Sequence, residues 1–443
     1  MSAPFVLRRL KALAKAAAPL ALSLLLVAAC ASPGRLPAVP PQLAARAMPE
    51  VGALRYLVAR DNPTLSQEAR SSLEKEQAWL AAQGHTGALP PMSMLAISGG
   101  GDNGAFGAGL LSGWTARGTR PEFKVVTGVS TGALIAPFAF LGPKYDPVLR
   151  SVYTEVSQPD IFKPRNILSG LFGDAMADTT PLLKLVNRHI DRPLLDAIAA
   201  EYAKGRLLLV ATTNLDTLEP VIWNMTAIAA SPDPHAPALF SKILVASAAI
   251  PGAFPPVLID VRVDGVAYQE MHVDGGALAQ VFIYPPNLRI GEASAALGLQ
   301  RQRTLYIIRN ARLDTDWASV KRRTLPIATR AIGSLMQSQG IGDLYRIYVT
   351  TQRDGVDYNL LFIPASFKAP HTGEFDRTYM RALFKVGYDL GAAGAPWRKH
   401  PPGYDAPLNA GPGAEAPPRR GAGALSGRPP VPGRDRCPPS RSG

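Results

Sequence analysis

Phe123-Lys124-Val125-Val126-Thr127-Gly128-Val129-Ser130-Thr131-Gly132 decides the fold. Its first half is a short apolar run that predicts a strand over Phe123–Thr127. The uncharged, small-residue stretch from Thr131 to about Leu141 predicts a helix. Between them lies Gly-x-Ser-x-Gly, the setting in which a chain turns sharply and lifts a serine hydroxyl above a sheet. Gly128 and Gly132 carry no side chains to obstruct that turn, and the helix N-terminus behind Ser130 favours developing negative charge. The motif alone is common by chance; the strand before it and the helix after it give it weight.

Upstream, Met94–Ser98 predicts a buried strand that runs into Gly99-Gly100-Gly101-Asp102-Asn103-Gly104 and then a helix from about Gly104 to Arg117. Glycines and unpaired helix N–H groups can hold an anion, either a phosphate or the oxyanion of an acyl-transfer intermediate. As a dinucleotide fingerprint Gly99-x-Gly101-x-x-Gly104 fails, because no acid stands at the end of the second strand. A Walker A Gly-Lys-Ser/Thr is also absent. Further strands are predicted at Arg206–Thr213, Val221–Trp223, Val257–Val263 and Thr304–Arg309. Helices are predicted at residues 64–83, Leu182–Lys204, Phe240–Ala248, Ala318–Gln339 and Phe375–Leu390. Alternating strands and helices predict an α/β fold whose mostly parallel sheet is covered on both faces, with sites at the strands' carboxyl ends.

A serine needs a base. Of six histidines, His85 precedes the first strand of this region, His400 falls in a Gly/Pro-rich tail, His189 is read as a surface helix residue, and His235 and His371 sit in loops. Met271-His272-Val273-Asp274-Gly275-Gly276 stands out instead, an acid at a strand end followed by two glycines that allow a tight bend and leave space for acyl chain or water. Two bases stay open. Asp274 can act alone, or His272, two residues away on the same strand face, can act with Asp274 as its orienting partner.

GGGDNG, GVSTG and DGG, in that order, together with Ala246–Pro256 (ASAAIPGAFPP), resemble the patatin-like phospholipases, lipid acyl hydrolases with a Ser-Asp dyad. The resemblance implies a three-layer α/β/α patatin-like fold with a mostly parallel central sheet. It makes Ser130 the nucleophile, Asp274 the general base and the Gly99, Gly100 and Gly101 region the oxyanion hole. Gly104, Gly128, Gly132, Gly275 and Gly276 belong to the same motifs. One residue departs: the family commonly carries Arg or Lys where this chain has Asn103. The implied activity is hydrolysis of phospholipid or other lipid carboxylic esters, with no cofactor and no metal. The alternative is a non-catalytic lipid-binding envelope lipoprotein that keeps the fold.

The ends set the organisation. Residues 1–29 have a basic start and an uncharged run from Ala16 to Ala29, about 21 Å of helix and too short to span a bilayer, so they predict a signal peptide. Val27-Ala28-Ala29-Cys30 resembles a lipobox, which makes Cys30 the lipidated first residue of a bacterial envelope lipoprotein. Ala31, in place of Asp, favours the outer membrane over the inner. Residues 30–90 are expected to form a linker and helical extension, with Ala31 to about Pro49 as a Pro/Ala-rich spacer; 91–393 the hydrolase domain; and 394–443 a disordered Pro/Gly/Arg-rich tail.

The net charge of +13 divides into +4 for residues 1–29, +5 for 394–443 and +4 for the rest, and no nucleic-acid-binding signature accompanies it. Two cysteines exclude a disulfide scaffold or a zinc ribbon, and no uninterrupted apolar run supports a multi-span membrane protein. The expected partners are a lipid ester and the membrane; no obligate protein partner is read from the chain.

Overall fold

Leu207–Asn214 (LLLVATTN) is buried at every position and is the strand around which the sheet is built. In chain order the strands are β1 (Met48–Pro49), β2 (Arg55–Leu57), β3 (Met92–Ile97), β4 (Phe123–Gly128), β5 (Lys163–Pro164), β6 (Ala177–Asp178), β7 (Leu207–Asn214), β8 (Glu219–Asn224), β9 (Val257–Val263), β10 (Val266–Asp274), β11 (Arg303–Arg309) and β12 (Val356–Phe362). The computed structural model describes residues 34–52, 54–58, 63–166, 173–314 and 319–404. Ten strands form one sheet in the order β1-β9-β10-β7-β4-β3-β11-β12, with β8 on β7 and β2 on β8. The middle, β7-β4-β3-β11-β12, is parallel. The flank through β10, β9 and β1 is antiparallel, as are β8 and β2.

The helices of eight residues or more are α1 (Pro63–Ala82), α2 (Gly104–Ala116), α3 (Thr131–Leu141), α4 (Asp146–Thr154), α5 (Thr180–His189), α6 (Arg192–Ala203), α7 (Ala236–Ser247), α8 (Thr324–Arg353) and α9 (Arg377–Ala393). The stretch expected as one helix over Leu182–Lys204 is two. Asp191 accepts the Leu194 N–H and Pro193 follows in the first turn, so the chain stops and restarts. The helix expected to end at Gln339 continues to Arg353, through Gly340, whose bare backbone seats the Arg309 guanidinium.

Helices α2 and α9 meet backbone to backbone. A Cβ at Gly109 or Gly113 would lie 2.0 Å from the carbonyl oxygens of Phe384 and Tyr388. Reciprocally, a Cβ at Gly387 would lie 2.2 Å from the Phe106 oxygen, and one at Gly391 2.5 Å from that of Leu110. Two glycines four residues apart on each helix thus interlock.

Both expected borders of the folded region move outward. The predicted spacer is not free: Val39, Ala44 and Ala47 are buried, β1 pairs with β9, and Arg35 pairs with Asp216 at 2.9 Å. Residues 394–403, expected as part of the disordered tail, are ordered. Trp397 packs at an angle against Trp114 and edge-on against Tyr306, with ring centroids 5.0 Å apart in each case, and Arg398 exchanges backbone hydrogen bonds with Leu360. Apolar contact outweighs a local excess of Gly and Pro there. The signal peptide, Cys30 and residues 405–443 lie outside the described residues. Among the described residues no helix is long and apolar enough to cross a membrane.

Candidate active site

β7 brings the two motif strands together. Its one edge is taken by β8 along Leu209–Asn214. On its other edge β4 runs parallel and stops at Gly128, opposite Val210, while β10 runs antiparallel and stops at Asp274, opposite Thr212. The two strand ends therefore meet head to head, two residues of β7 apart, or roughly 7 Å. Ser130 and Asp274 project from that junction.

Ser130 sits at φ 55° and ψ −126°, a region that L-residues rarely occupy, at the N-terminus of α3. Glycine is required on both sides. A Cβ at Gly128 would lie 2.4 Å from the Gly132 oxygen, and one at Gly132 2.2 Å from that of Ile97. The Ser130 N–H donates to Ser247 Oγ at 3.0 Å, and Ser247 Oγ donates to the Ala211 oxygen at 2.7 Å, so the elbow is pinned to β7. Ser247→Ala is expected to leave a buried N–H without an acceptor, at a cost of about 1–3 kcal/mol. It should also lower kcat about tenfold with little change in KM, which steady-state kinetics beside thermal melting would check.

Asp274 is fully buried. Its Oδ1 accepts the Gly276 N–H at 2.7 Å, while Oδ2 has no hydrogen-bond partner among the described residues. Burial pushes the carboxyl up to about 6, against the downward pull of the Ser130 hydroxyl and the Gly276 N–H. His272 does not join them. Its Nδ1 pairs with Thr212 Oγ1 at 2.9 Å and its Nε2 with Glu270 at 3.1 Å, so both ring nitrogens are engaged away from the serine. Glu270 in turn holds Arg55; burial pushes its carboxyl up, but His272 and Arg55 outweigh burial and hold it at about 2.

The glycine loop differs from expectation in one donor. The Gly99 N–H is spent on the Gln280 oxygen at 3.0 Å, so Gly99 supplies no oxyanion contact. The N–H groups of Gly100 and Gly101 have no acceptor among the described residues, and a Cβ at Gly101 would meet only open space. Both can therefore donate to an oxyanion. The expected room beside Gly275 and Gly276 is also filled: a Cβ would lie 2.5 Å from the Ala211 oxygen at the first and 2.5 Å from Gln280 Nε2 at the second. Gly104 fits against Thr131 Oγ1. Asn103 accepts from the Tyr379 hydroxyl at 2.6 Å and so faces α9.

Several positioning residues were not singled out from sequence. Asn310, after β11, accepts the Gly107 N–H at 3.0 Å, donates to the Ser98 oxygen at 2.9 Å and lies under Gly100. Gln280 donates to the Gly276 oxygen at 2.8 Å, and its own N–H is held by Asp343 of α8 at 2.7 Å. His371 and the Phe375 N–H both reach Asp102 Oδ2, at 2.7 and 3.0 Å, pinning the 364–376 connection beside the glycine loop.

An apolar cavity begins at Thr131, the residue after the serine. It is lined by Leu134, Phe138, Val156, Leu185 and Phe375 among others. His189, expected at the surface, lines it too and is half-buried against Phe138. No group of three or more His, Cys, Asp or Glu that could hold a metal occurs among the described residues.

A serine at φ 55° between a strand and a helix thus lies beside a buried carboxylate on a mixed α/β sheet. Residues 95–285 match the family model of the patatin-like phospholipases. No curated protein matches the sequence. Among solved structures, VipD from Legionella pneumophila is 13% identical, with 69% of this chain and 67% of that one covered and a TM-score of 0.33. Human GIVD cytosolic phospholipase A2 is 9% identical, with 71% of this chain and 55% of that one covered and a TM-score of 0.29.

Proposed function

We propose that the chain is a lipid-anchored serine acyl hydrolase cleaving carboxylic esters of phospholipids or other lipids. The observation that carries this reading is the meeting of the two strand ends that sets the Ser130 hydroxyl beside the fully buried Asp274 carboxyl. As Ser130 Oγ attacks the ester carbonyl, its proton passes to Asp274. The Gly100 and Gly101 N–H groups take the oxyanion, and the α3 N-terminus favours the same charge. Asp274 returns the proton to the leaving alcohol, and the acyl group stays on Ser130. Water then attacks the acyl carbonyl as it gives its proton to Asp274, the bond to Ser130 breaks to release the fatty acid, and Asp274 returns the proton to Ser130 Oγ. The apolar cavity starting at Thr131 suits an aliphatic acyl chain and supports a lipid over a polar ester.

Labelling by a fluorophosphonate probe and turnover on a panel of lipid esters test the reading. A protein that neither labels nor turns over any ester would instead be the non-catalytic lipid-binding lipoprotein. Cys30 is the proposed lipidation site and the outer membrane the proposed location. Cys30→Ser should then abolish acylation of the mature N-terminus. Mass spectrometry of the parent decides this: a mature chain with a bare Cys30, or one that begins elsewhere, would remove the anchor from the proposal.

A further inference from the structure

Helix α8 changes sides along its length. Its second half packs on the body through Gly340, Asp343, Leu344 and Ile347. Its first half carries an apolar stripe of Ile327, Ala331 and Leu335 with Ala328 and Ile332 beside it, all exposed. At roughly 100° per residue the two sets lie roughly 140° apart around the axis, so the stripe faces away from the protein. Leu335 is 70% exposed, Ile327 50% and Ile332 43%, against an ordinary expectation that such side chains are covered.

Two further observations say what covers it. Residues 317–342 contain Lys321, Arg322, Arg323 and Arg330 and no acid, so the stretch that carries the stripe is basic. The helix also leaves the body at the catalytic edge. Gln339 donates to the Leu278 oxygen at 3.0 Å, and Gln337 to the Arg312 oxygen at 2.8 Å. Asp343 holds Gln280, which touches both the glycine loop and Gly276. An apolar stripe in a basic stretch, projecting from the end of the sheet where a lipid ester would enter, matches an anionic bilayer surface.

We propose that the first half of α8, with the Lys321–Arg323 run before it, is a docking element that lies in the headgroup region of an anionic phospholipid membrane and sets the active-site edge against it. The inference rests on the acyl-hydrolase reading for its purpose, and its test separates the two. The full chain is used throughout, so that any N-terminal anchor is the same in every variant.

In Leu335→Trp, the fluorescence added over the parent should be quenched by acyl-brominated phosphatidylcholine in vesicles with about 30% phosphatidylglycerol. The quenching should weaken in pure phosphatidylcholine and at about 0.5 M salt. The exposed double variant Ile327→Asp with Leu335→Asp should raise the half-saturating concentration of phosphatidylglycerol vesicles about tenfold or more. Its turnover of a soluble short-chain ester should stay unchanged. Lys321→Gln, Arg322→Gln and Arg323→Gln together should remove the preference for phosphatidylglycerol. Added fluorescence that stays unquenched in Leu335→Trp, or an unchanged half-saturation in the double Asp variant, would overturn the proposal. So would a lipid-free dimer that the double Asp variant dissociates, since the stripe would then bind a second copy. A parent inert toward every ester would sink the acyl-hydrolase reading instead, and the quenching would still decide docking.

Discussion

Ser130→Ala is expected to remove ester hydrolysis, with kcat falling by about four orders of magnitude or more, and to abolish fluorophosphonate labelling. The protein should remain folded. One hydroxyl is lost, and the elbow stays held through the backbone N–H of residue 130 on Ser247. Alanine must adopt φ 55° without a hydroxyl, which bears on stability by about 1 kcal/mol and not on the sheet. Single-turnover hydrolysis with circular dichroism on the purified variant checks this. A variant that keeps a tenth of the parental rate would remove Ser130 from the chemistry.

Asp274→Asn should cost a comparable factor in rate while making the protein more stable at neutral pH. The carboxyl is raised from an ordinary 3.8 to about 6 by burial, so the folded state holds its proton more tightly than the unfolded chain does. The stability this proton confers is fully present below about pH 4 and is lost as pH rises through about 6, a decline of about 3 kcal/mol. Asparagine cannot ionise and can still accept from Gly276, so that decline should vanish from the melting curves of the variant. Activity runs the other way. The base must be unprotonated, so kcat/KM of the parent should rise with pH and level off above about 6. Melting temperature and rate measured from pH 4 to 8 would show both trends. A variant as pH-sensitive as the parent would show that the ionisation lies elsewhere.

The motifs that carry the proposed site are legible in the sequence because they are local. Gly-Val-Ser-Thr-Gly between a strand and a helix carries its own geometry, and Asp274 ends a strand in an equally compact motif. What escaped reading depends on distant partners. Ser247 looks like any small helix residue until the elbow N–H comes to rest on it. Gln280 and Asn310 gain their roles only when β10 and β11 place them beside the glycine loop. Strand β12 was missed because Asp357 and Asn359 interrupt its apolar pattern. Asn359 is buried all the same, donating to the Leu305 oxygen at 3.3 Å and to Asp357 at 3.0 Å. The tail and the spacer were misjudged for a related reason. Composition counts Pro and Gly, but a single Trp397 or a two-residue edge strand is enough to dock a segment when a complementary surface exists.

The interlocked glycines of α2 and α9 restrict how this enzyme can open. Helices that meet on side chains can slide past one another by small steps, but here each backbone fits into a notch of the other, and translation along the axis would drive carbonyl oxygens into Cα atoms. Shear is therefore closed to this pair. The glycine loop at the start of α2 and the segment leading into α9 keep a constant separation at their helical ends. Rotation within residues 364–376, where Phe375 sits at φ 56° and lines the cavity, can widen the entrance without moving either helix. Such a motion works as a hinge, set by backbone torsions in that connection, while the two interlocked helices behind it stay still.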